Sequence, residues 1–508
     1  MGQFLGYTLP AFPGGINVID PIDQVPETDA VDLLNVYPQG QRLELRKGIV
    51  SDWVADTAAV KTVANLVLAD GTELVVACSD NDIYKENGAS STSIKGATTP
   101  TSDEWQYAIF NNKLFLCNGA DTPQVWTGSG NCADLSFTGG STPTLSTLIN
   151  VASYKERLYF VQKDTAKIWY GNTKAIGTTA LNEFDVSYYL KSGGFVVACG
   201  SWSSNIGTTT QDLFYVLGSE GDLLFYSGSS PADVAFQLVA RYVIGKPLGY
   251  RSTLHVENDL WITTNQGIVP VSQLFQTTAS FAANSISRKI NSIIQSAASA
   301  FPFSYIYSGI YYQRGRKVFI NLPITATNTK QLVCNIETGA WTLYQYGVTG
   351  ACLSMTISEG EPYFGSYAGD VYQAETGYED DETPISFRVR GGFNFFGKRG
   401  LYKVFKDIRP IMKTAAGDFT LEMDIDTDFR QLTSYATIAS PETDSEATAT
   451  WDDDPWDSSP WSEEERYLFA RYSLKGQGHC GALRIRGSLN ALLEFNAFEI
   501  RYEEGAQT

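Results

Sequence analysis

Three stretches of this 508-residue chain have the residue types and spacing that could do chemistry. In Met423-Asp-Ile-Asp-Thr-Asp428, three carboxylates stand at alternate positions, as at the start of a calcium loop. Such a loop needs Gly at its sixth position and Glu at its twelfth, and these positions hold Phe429 and Tyr435. Strand alternation instead predicts all three Asp on one solvent-facing side. The second stretch is the acidic run Trp451-Asp-Asp-Asp-Pro-Trp456-Asp-Ser-Ser-Pro-Trp461. Tryptophan is a strong interface anchor, so Trp451, Trp456 and Trp461 are candidate subunit or partner contacts; the other reading is that the loop folds back to cap its own domain. The third is a helix expected over Asn284 to Ser296, with Ile286, Ile290, Ile293 and Ile294 on one face and Asn284 or Ser285 as its cap. Its apolar face packs either on a sheet edge or on a neighbouring subunit, which makes Ile286, Ile290 and Ile293 candidate contacts.

Catalytic patterns are missing from the sequence. The only histidines are His255 and His479, too few for a histidine metal cluster. There is no Gly-x-Ser-x-Gly elbow, no Gly-x-x-x-x-Gly-Lys phosphate loop and no Ser-x-Asp-x-Gly-x-Thr-Trp turn of the sialidase type. Carboxylates are plentiful, but no pair is singled out by its setting. The expectation is a protein that is not an enzyme, with no cofactor and no bound metal.

The elements that must position these residues read as strands. Aromatic residues make up 13% of the chain and 45 residues are Gly, a composition that favours an all-β fold rich in turns. Short apolar strands recur at Glu73, Lys113, Arg157, Asp212, Asp259, Lys317 and Pro362, roughly 40 to 58 residues apart, the length of a four-stranded propeller blade. Most are followed by a turn and an aromatic strand, as in Asp82-Ile-Tyr, Gln124-Val-Trp and Lys167-Ile-Trp-Tyr. One such sheet cannot bury both of its faces, whereas sheets stacked around an axis bury both. The expectation is a β-propeller of about seven blades over residues 51–380, with a run of β-sandwiches as the alternative.

The repeat ends at the acidic Tyr378-Glu-Asp-Asp-Glu-Thr-Pro384, which reads as a linker. Beyond it, alternation such as Ser386-Phe-Arg-Val-Arg and Leu483-Arg-Ile-Arg predicts strands near 385–391, 401–412, 418–427, 466–474, 482–488 and 493–502. This gives a C-terminal β-sandwich over 381–508, interrupted by the acidic Trp-rich loop 440–465. Residues 1–50 form an N-terminal arm in which Thr28 to Tyr37 reads as a short helix and Gln41 to Arg46 as a strand leading into the first blade.

The formal net charge of −19 disfavours tight nucleic-acid binding, because a phosphate-gripping groove needs a basic surface. The seven cysteines are odd in number, show no Cys-x-x-Cys pair and mostly sit in apolar runs, so buried thiols in a reducing compartment are expected. No signal peptide or myristoylation motif is read at the start, and no apolar run is long enough to cross a bilayer.

Three stretches together resemble the tail nozzle, or packaged-DNA stabilisation, proteins of short-tailed bacteriophages. The first joins Gly14-Gly-Ile-Asn, Ala30-Val-Asp-Leu-Leu-Asn-Val-Tyr-Pro38 and Leu45-Arg-Lys-Gly48. The second is the repeat region with Ile286-Ser-Arg-Lys-Ile-Asn-Ser-Ile. The third is the Trp-rich loop followed by Gly481-Ala-Leu-Arg-Ile-Arg-Gly-Ser488 and Phe498-Glu-Ile-Arg-Tyr-Glu-Glu-Gly505. The resemblance implies a virion structural protein assembled in the host bacterial cytoplasm. It implies a homo-hexameric ring below the portal and its adaptor, in contact with tail needle, fibre or spike proteins. DNA would pass through its channel without sequence-specific binding, and the ring would help retain the genome until ejection. The alternatives are a propeller glycosidase or lyase, and a receptor-binding tail component.

Overall fold

The computed structural model describes residues 4–96, 99–138, 142–177, 179–206, 209–276, 285–348, 350, 352–415, 419–430, 436–439, 466–468 and 470–505. With 53% of residues in strands and 5% in helices, the chain is all-β; its sheets comprise a propeller arrangement of five blades and a large sheet that nearly closes into a barrel. It divides into two compact units. One comprises Ser51–Gln331 and Thr349–Ala374; the other comprises Met1–Val50, Leu332–Val348 and Glu375–Thr508.

In the first unit, five separate antiparallel sheets form the blades. Those over 62–93, 106–134, 148–185 and 196–243 have four strands each, and that over 253–270 has three. The recurring segments read from the sequence are the second strands, for example Lys113–Cys117 and Arg157–Gln162, and the aromatic segments after them are the third. Alternation explains why these strands are apolar on both sides. In Lys113–Cys117, Leu114 and Leu116 pack toward the 62–93 sheet with Val76, Ile83 and Trp105, whereas Phe115 and Cys117 pack toward the 148–185 sheet with Leu158, Phe160 and Trp169. In Thr209–Gly218, Phe214 and Val216 join the core shared with Tyr159 and Val161, and Leu213, Tyr215 and Leu217 join Ile262 and Val269 on the other side. Each fully buried side chain of this size contributes roughly 1.5–3 kcal/mol. Tight turns set the register. Asn111 and Asn112, at φ 48° and 60°, close the hairpin in which Phe110 faces Lys113, the two-residue turn that asparagine favours.

Two further antiparallel runs lie in this unit. One pairs Gly309–Tyr312 with Lys317–Pro323, and the other joins Ser354–Ser358, Glu361–Gly365 and Asp370–Thr376. Trp53, fully buried, packs with Val371 of the second run and with Val63 and Val75 of the first sheet, and the Ala55 N–H donates to the Gly369 carbonyl at 2.9 Å.

The expected helix begins later than its pattern suggested. A 3₁₀ turn over Arg288–Ile290 leads into an α-helix over Asn291–Ala300, and neither is capped by a side chain. Ser285 hydrogen-bonds to Ser287, and Ser287 accepts from the Ile268 N–H and donates to Asn291, so these hydroxyls are committed to loop contacts rather than to a cap. Ile290 and Ile294 are fully buried within the chain, Ile286 and Ile293 half-buried, and the helix packs on the strands Gly267–Pro270 and Lys317–Pro323.

In the second unit the first fifty residues belong with the C-terminal strands. A seven-stranded sheet runs in the order Val36–Gln39, Arg42–Leu45, Leu493–Glu504, Lys403–Thr414, Arg466–Leu468; Phe4–Pro10 pairs with Leu493–Glu504, and Tyr472–Gly478 with Lys403–Thr414. A second set of strands runs Ala30–Leu34, Thr383–Gly391, Gly481–Leu489, Thr420–Thr427, Ala436–Ala439. Buried aromatic rings of the two sets meet, Phe387 lying 6.1 Å from Phe495 between centroids.

Three sequence expectations are corrected here. Thr28 to Tyr37 is not a helix: Ala30–Leu34 pairs in register with Thr383–Gly391, and Asn35, at φ 58°, breaks the chain before the next strand. The Arg42–Leu45 strand pairs with Leu493–Glu504 rather than leading into a blade. The acidic stretch after Tyr378 is not a solvated linker either. Asp380 is 1% exposed and takes a two-pronged ion pair from the equally buried Arg46, at 2.8 and 2.5 Å. Arg46 also donates to Asn35 Oδ1 (2.9 Å), to the Lys47 carbonyl (2.9 Å) and to the Gln345 carbonyl (3.2 Å), and it lies over the Tyr346 ring. Its neighbours in the motif are equally committed. Lys47 sits 3.8 Å above the Tyr378 ring, and any Cβ on Gly48 would come within 1.8 Å of the Glu379 carbonyl oxygen.

Removing one partner of a buried pair strands the other charge, at a cost of about 3–5 kcal/mol. Arg46→Ala and Asp380→Ala should each lower the urea midpoint of this unit by that equivalent. Arg46→Met with Asp380→Leu should recover part of the loss; a single variant as stable as the parent would refute the role given to the pair.

Candidate functional site: an axial cavity and an arginine groove

Inner strands of the propeller unit surround a cavity of about 390 Å³, to which Gln106–Phe110, Leu148–Tyr154, Val196–Ile206, Thr253–Val256, Gly309–Tyr312 and Ser354–Ser358 contribute. Its polar lining includes Asn150, Ser153, Ser201, Thr253 and Ser308, and none of the lining residues is Asp or Glu. His255 stands at the wall, its residue exposed to solvent, and desolvation by the surrounding protein lowers its pKa and favours the neutral ring at pH 7. The Tyr215 hydroxyl donates to Thr253 at 3.3 Å. Arg251 ties distant parts of the chain together at this cavity. It donates to Gln106 Oε1 (3.0 Å), the Lys61 carbonyl (3.0 Å), Thr62 Oγ1 (2.7 Å) and the Trp105 carbonyl (2.7 Å). Its charge therefore serves architecture.

The second concavity, about 660 Å³, lies on the strands Ala30–Leu34, Thr383–Gly391, Gly481–Leu489 and Thr420–Thr427. Register puts Arg388 opposite Arg486 and Arg390 opposite Arg484 on the two central strands. Like charges directly opposite each other are destabilising, so two such pairs in succession need compensation. The outer strands supply it: Asp32 stands opposite Arg390, Glu422 opposite Arg486 and Asp424 opposite Arg484. In the Arg390–Arg484 row the charge order is therefore minus, plus, plus, minus, whereas Arg388 has Leu34 opposite it on the outer strand.

Burial is graded along the groove. At the deep end Arg484 and Asp426 are 3% and 0% exposed; Arg484 pairs with Asp426 at 3.1 Å and Asp424 at 3.5 Å, and Arg390 with Asp426 at 3.2 Å. Burial raises the pKa of Asp424, against the opposing pull of its hydrogen bond from the Ile425 N–H and of Arg484. At the open end the Arg388 and Arg486 side chains are 47% and 50% exposed, Arg388 pairing with Asp32 and Arg486 with Glu422 at 2.5 Å. Ser386 and Ser488 face each other beyond them, their hydroxyls 3.4 Å apart.

The Asp-rich segment thus ends up in a place the alternation did not foretell. Asp424 and Asp426 share a face, but it is buried against arginines rather than turned to solvent. Asp428 lies past the strand end and accepts from the His479 N–H at 2.7 Å. Among the described residues no group of three or more metal-ligating side chains is assembled. Trp451, Trp456 and Trp461 lie outside the described residues. Ile290 is enclosed by its own chain; Ile286 and Ile293 are half-buried. The groove itself was missed, although the alternating arginines of Ser386-Phe-Arg-Val-Arg and Leu483-Arg-Ile-Arg were its signal. No disulfide joins the seven cysteines, all buried, and burial pushes the Cys132 thiol up to about 12. Among the described residues no helix is long and apolar enough to cross a membrane.

No family model matches this chain, and no curated protein matches it. Among solved structures, the computationally designed Ika8 protein aligns at 11% identity over 65% of this chain and 99% of its own, with a TM-score of 0.38. The extracellular domain of the putative one component system BT4673 from B. thetaiotaomicron aligns at 12% identity over 64% of this chain and 39% of its own, with a TM-score of 0.40.

Two outcomes are expected. Ellman's reagent at pH 8 should find almost no reactive thiol in the native chain and seven after denaturation; several fast thiols in the native state would contradict the burial. Arg251→Ala strands acceptors that now receive charged donors, a loss of about 2–3 kcal/mol, and should lower the midpoint of the propeller unit without changing that of the other.

Proposed function

We propose that this chain is a structural subunit of a short-tailed phage tail nozzle: a ring-forming virion component below the portal and adaptor that lengthens the DNA exit channel and helps hold the genome. The single observation that carries this reading concerns the residues of the resemblance. Arg46 and Gly48 of Leu45-Arg-Lys-Gly48 meet Asp380 and Glu379 in a buried hub. Gly15 and Ile16 of the opening motif abut Trp341, with the Ile16 N–H donating to the Trp341 carbonyl at 2.8 Å, and Asn17 donates to Asp29 at 2.9 Å. These residues are used for architecture, as expected of a structural family without catalytic residues.

The finer architecture belongs to the same proposal. We read the two additional antiparallel runs as the sixth and seventh blades, and the two facing strand sets of the second unit as a β-sandwich. Contacts between strands support the ring order: 62–67 touches 106–110, then 148–154, 196–206, 259–264 of the three-stranded blade, whose 253–256 strand touches 309–312, then 354–358, which returns to 62–67. Trp53 packs with residues of the last run and of the first sheet, which supports ring closure. For the enzyme alternative, a glycosidase needs two carboxyl groups roughly 5–10 Å apart around its substrate, and the axial cavity has no Asp or Glu in its lining.

Mass photometry and negative-stain imaging of the purified chain, alone and with portal–adaptor complexes, test the reading. A closed ring, or recruitment to the adaptor, with seven radial sheets per subunit is the expected result. A strictly monomeric chain that does not join the complex, or turnover of a bacterial polysaccharide abolished by one Asp or Glu substitution, would overturn it.

A further inference from the structure

We propose that Asn87 is a site of spontaneous covalent modification in the folded protein: its side-chain amide cyclises onto the Gly88 nitrogen and is replaced by aspartate and isoaspartate, whereas the same dipeptide at Asn118-Gly119 is locked against the reaction. The proposal does not depend on the nozzle reading.

The sequence contains two Asn-Gly pairs, Asn87-Gly88 and Asn118-Gly119. Glycine after asparagine opens this chemistry, because no Cβ hinders the approach of the glycine nitrogen to the side-chain amide carbon. Sequence ranks the two pairs alike, and the structure separates them.

Asn118 is 4% exposed. Its Nδ2 donates to the Ser102 carbonyl (3.0 Å) and to Asp121 (2.6 Å), and its Oδ1 accepts from the N–H groups of Ala120 (3.0 Å) and Asp121 (2.8 Å). The Gly119 N–H, whose nitrogen would have to attack, donates to the Leu148 carbonyl at 2.9 Å. Cyclisation there would break this buried set of hydrogen bonds before any new bond formed.

Asn87 ends the strand Asp82–Asn87 and, opposite Ser90, closes the hairpin to Ser90–Ser93. Residues 87 to 89 are exposed, Gly88 has φ 62°, and nothing lies within 4 Å of the place a Cβ on Gly88 would take. Among the described residues, neither the Asn87 side chain nor the Gly88 N–H has a hydrogen-bond partner.

The step balances with water alone. A base in solution takes the Gly88 amide proton, the nitrogen attacks Cγ of Asn87, and the Cγ–Nδ2 bond breaks as ammonia leaves. Water then opens the succinimide ring. Cleavage of the new Cγ–N bond gives aspartate; cleavage of the original peptide bond gives isoaspartate, with the chain running through the side chain.

The place of the reaction gives it a structural consequence. The Val54 N–H donates to the Ala89 carbonyl at 3.3 Å and the Ser91 hydroxyl to the Ala55 carbonyl at 2.7 Å, so this hairpin holds the end of the strand Gly48–Val54 and the residue after it. Isoaspartate lengthens the backbone by one methylene at the hairpin's end. The new carboxylate also follows directly on Glu86, which, like Asp52, already has its pKa raised by burial and then by neighbouring carboxylates, Glu359 among them.

The test holds the full chain at pH 8 and 37 °C, native or in guanidinium chloride, and follows both peptides by mass spectrometry after digestion at acid pH. In the native chain Asn87 should convert to the acid at least tenfold faster than Asn118, with isoaspartate among the products. In denaturant the two rates should become similar. Asn87→Ser should remove most of the early isoaspartate that an isoaspartyl methyltransferase labels in the intact native protein. The proposal is overturned if Asn87 survives in the native chain as long as Asn118, if Asn118 is lost as fast as Asn87, or if the methyltransferase signal is undiminished in Asn87→Ser.

Discussion

The pair between Arg46 and Asp380 is the constraint on which the second unit depends. A guanidinium with no exposure to water is tolerable only if nearly every donor has an acceptor. Here the acceptors come from Asn35, Lys47, Gln345 and Asp380, which bring together three stretches far apart in sequence. Asn35 extends the same network by donating to the carbonyls of Gln345 and Ser386, and Asp380 accepts from the Gly347 N–H. Ser386 lies within the strand Thr383–Gly391 that carries the groove arginines, so the hub fixes that part of the strand and through it the groove mouth.

The propeller unit solves a different problem with a uniform device. Each second strand sends alternate side chains to two different neighbours, so it has no spare face and its sheet depends on both neighbours. The same division of labour accounts for the polar axis. Small hydroxyl and amide side chains line the inner strands beside Tyr107, Tyr215 and Tyr250. Arg251 supplements this packing with a directional tie to Lys61, Thr62, Trp105 and Gln106.

What was legible in the sequence follows from how local each signal is. The repeat of strand, turn and aromatic strand could be read because alternation and paired asparagines act within a few residues, as at Asn111-Asn112 and the strand after it. The later strands, from Ser386 onward, were legible for the same reason. The short helix expected at Thr28 to Tyr37 failed because pairing with a strand more than 350 residues away decides that segment's conformation. The acidic stretch after Tyr378 looked like a linker because nothing local announces that Asp380 will meet Arg46. Likewise the arginine runs were visible one at a time, but a groove exists only once register sets Arg388 beside Arg486 and Arg390 beside Arg484. The alternation of Asp424 and Asp426 placed them correctly on one face and said nothing about what would cover that face.

The pairing of Phe4–Pro10 with Leu493–Glu504 has a consequence for biosynthesis. The early strand leaves the ribosome long before its partner exists. At roughly 5–20 residues per second, the wait is on the order of 25–100 s. Over that interval the emerging amino-terminal segment carries an unpaired strand edge, while sheets such as 62–93 and 106–134 pair within themselves as soon as they appear. The order of maturation is then set: the repeat region condenses first, during translation, and the second unit assembles last, around a segment that has been waiting throughout. A nascent chain of this design is most exposed to misassembly, and most in need of chaperone cover, in the strand that waits longest for its partner.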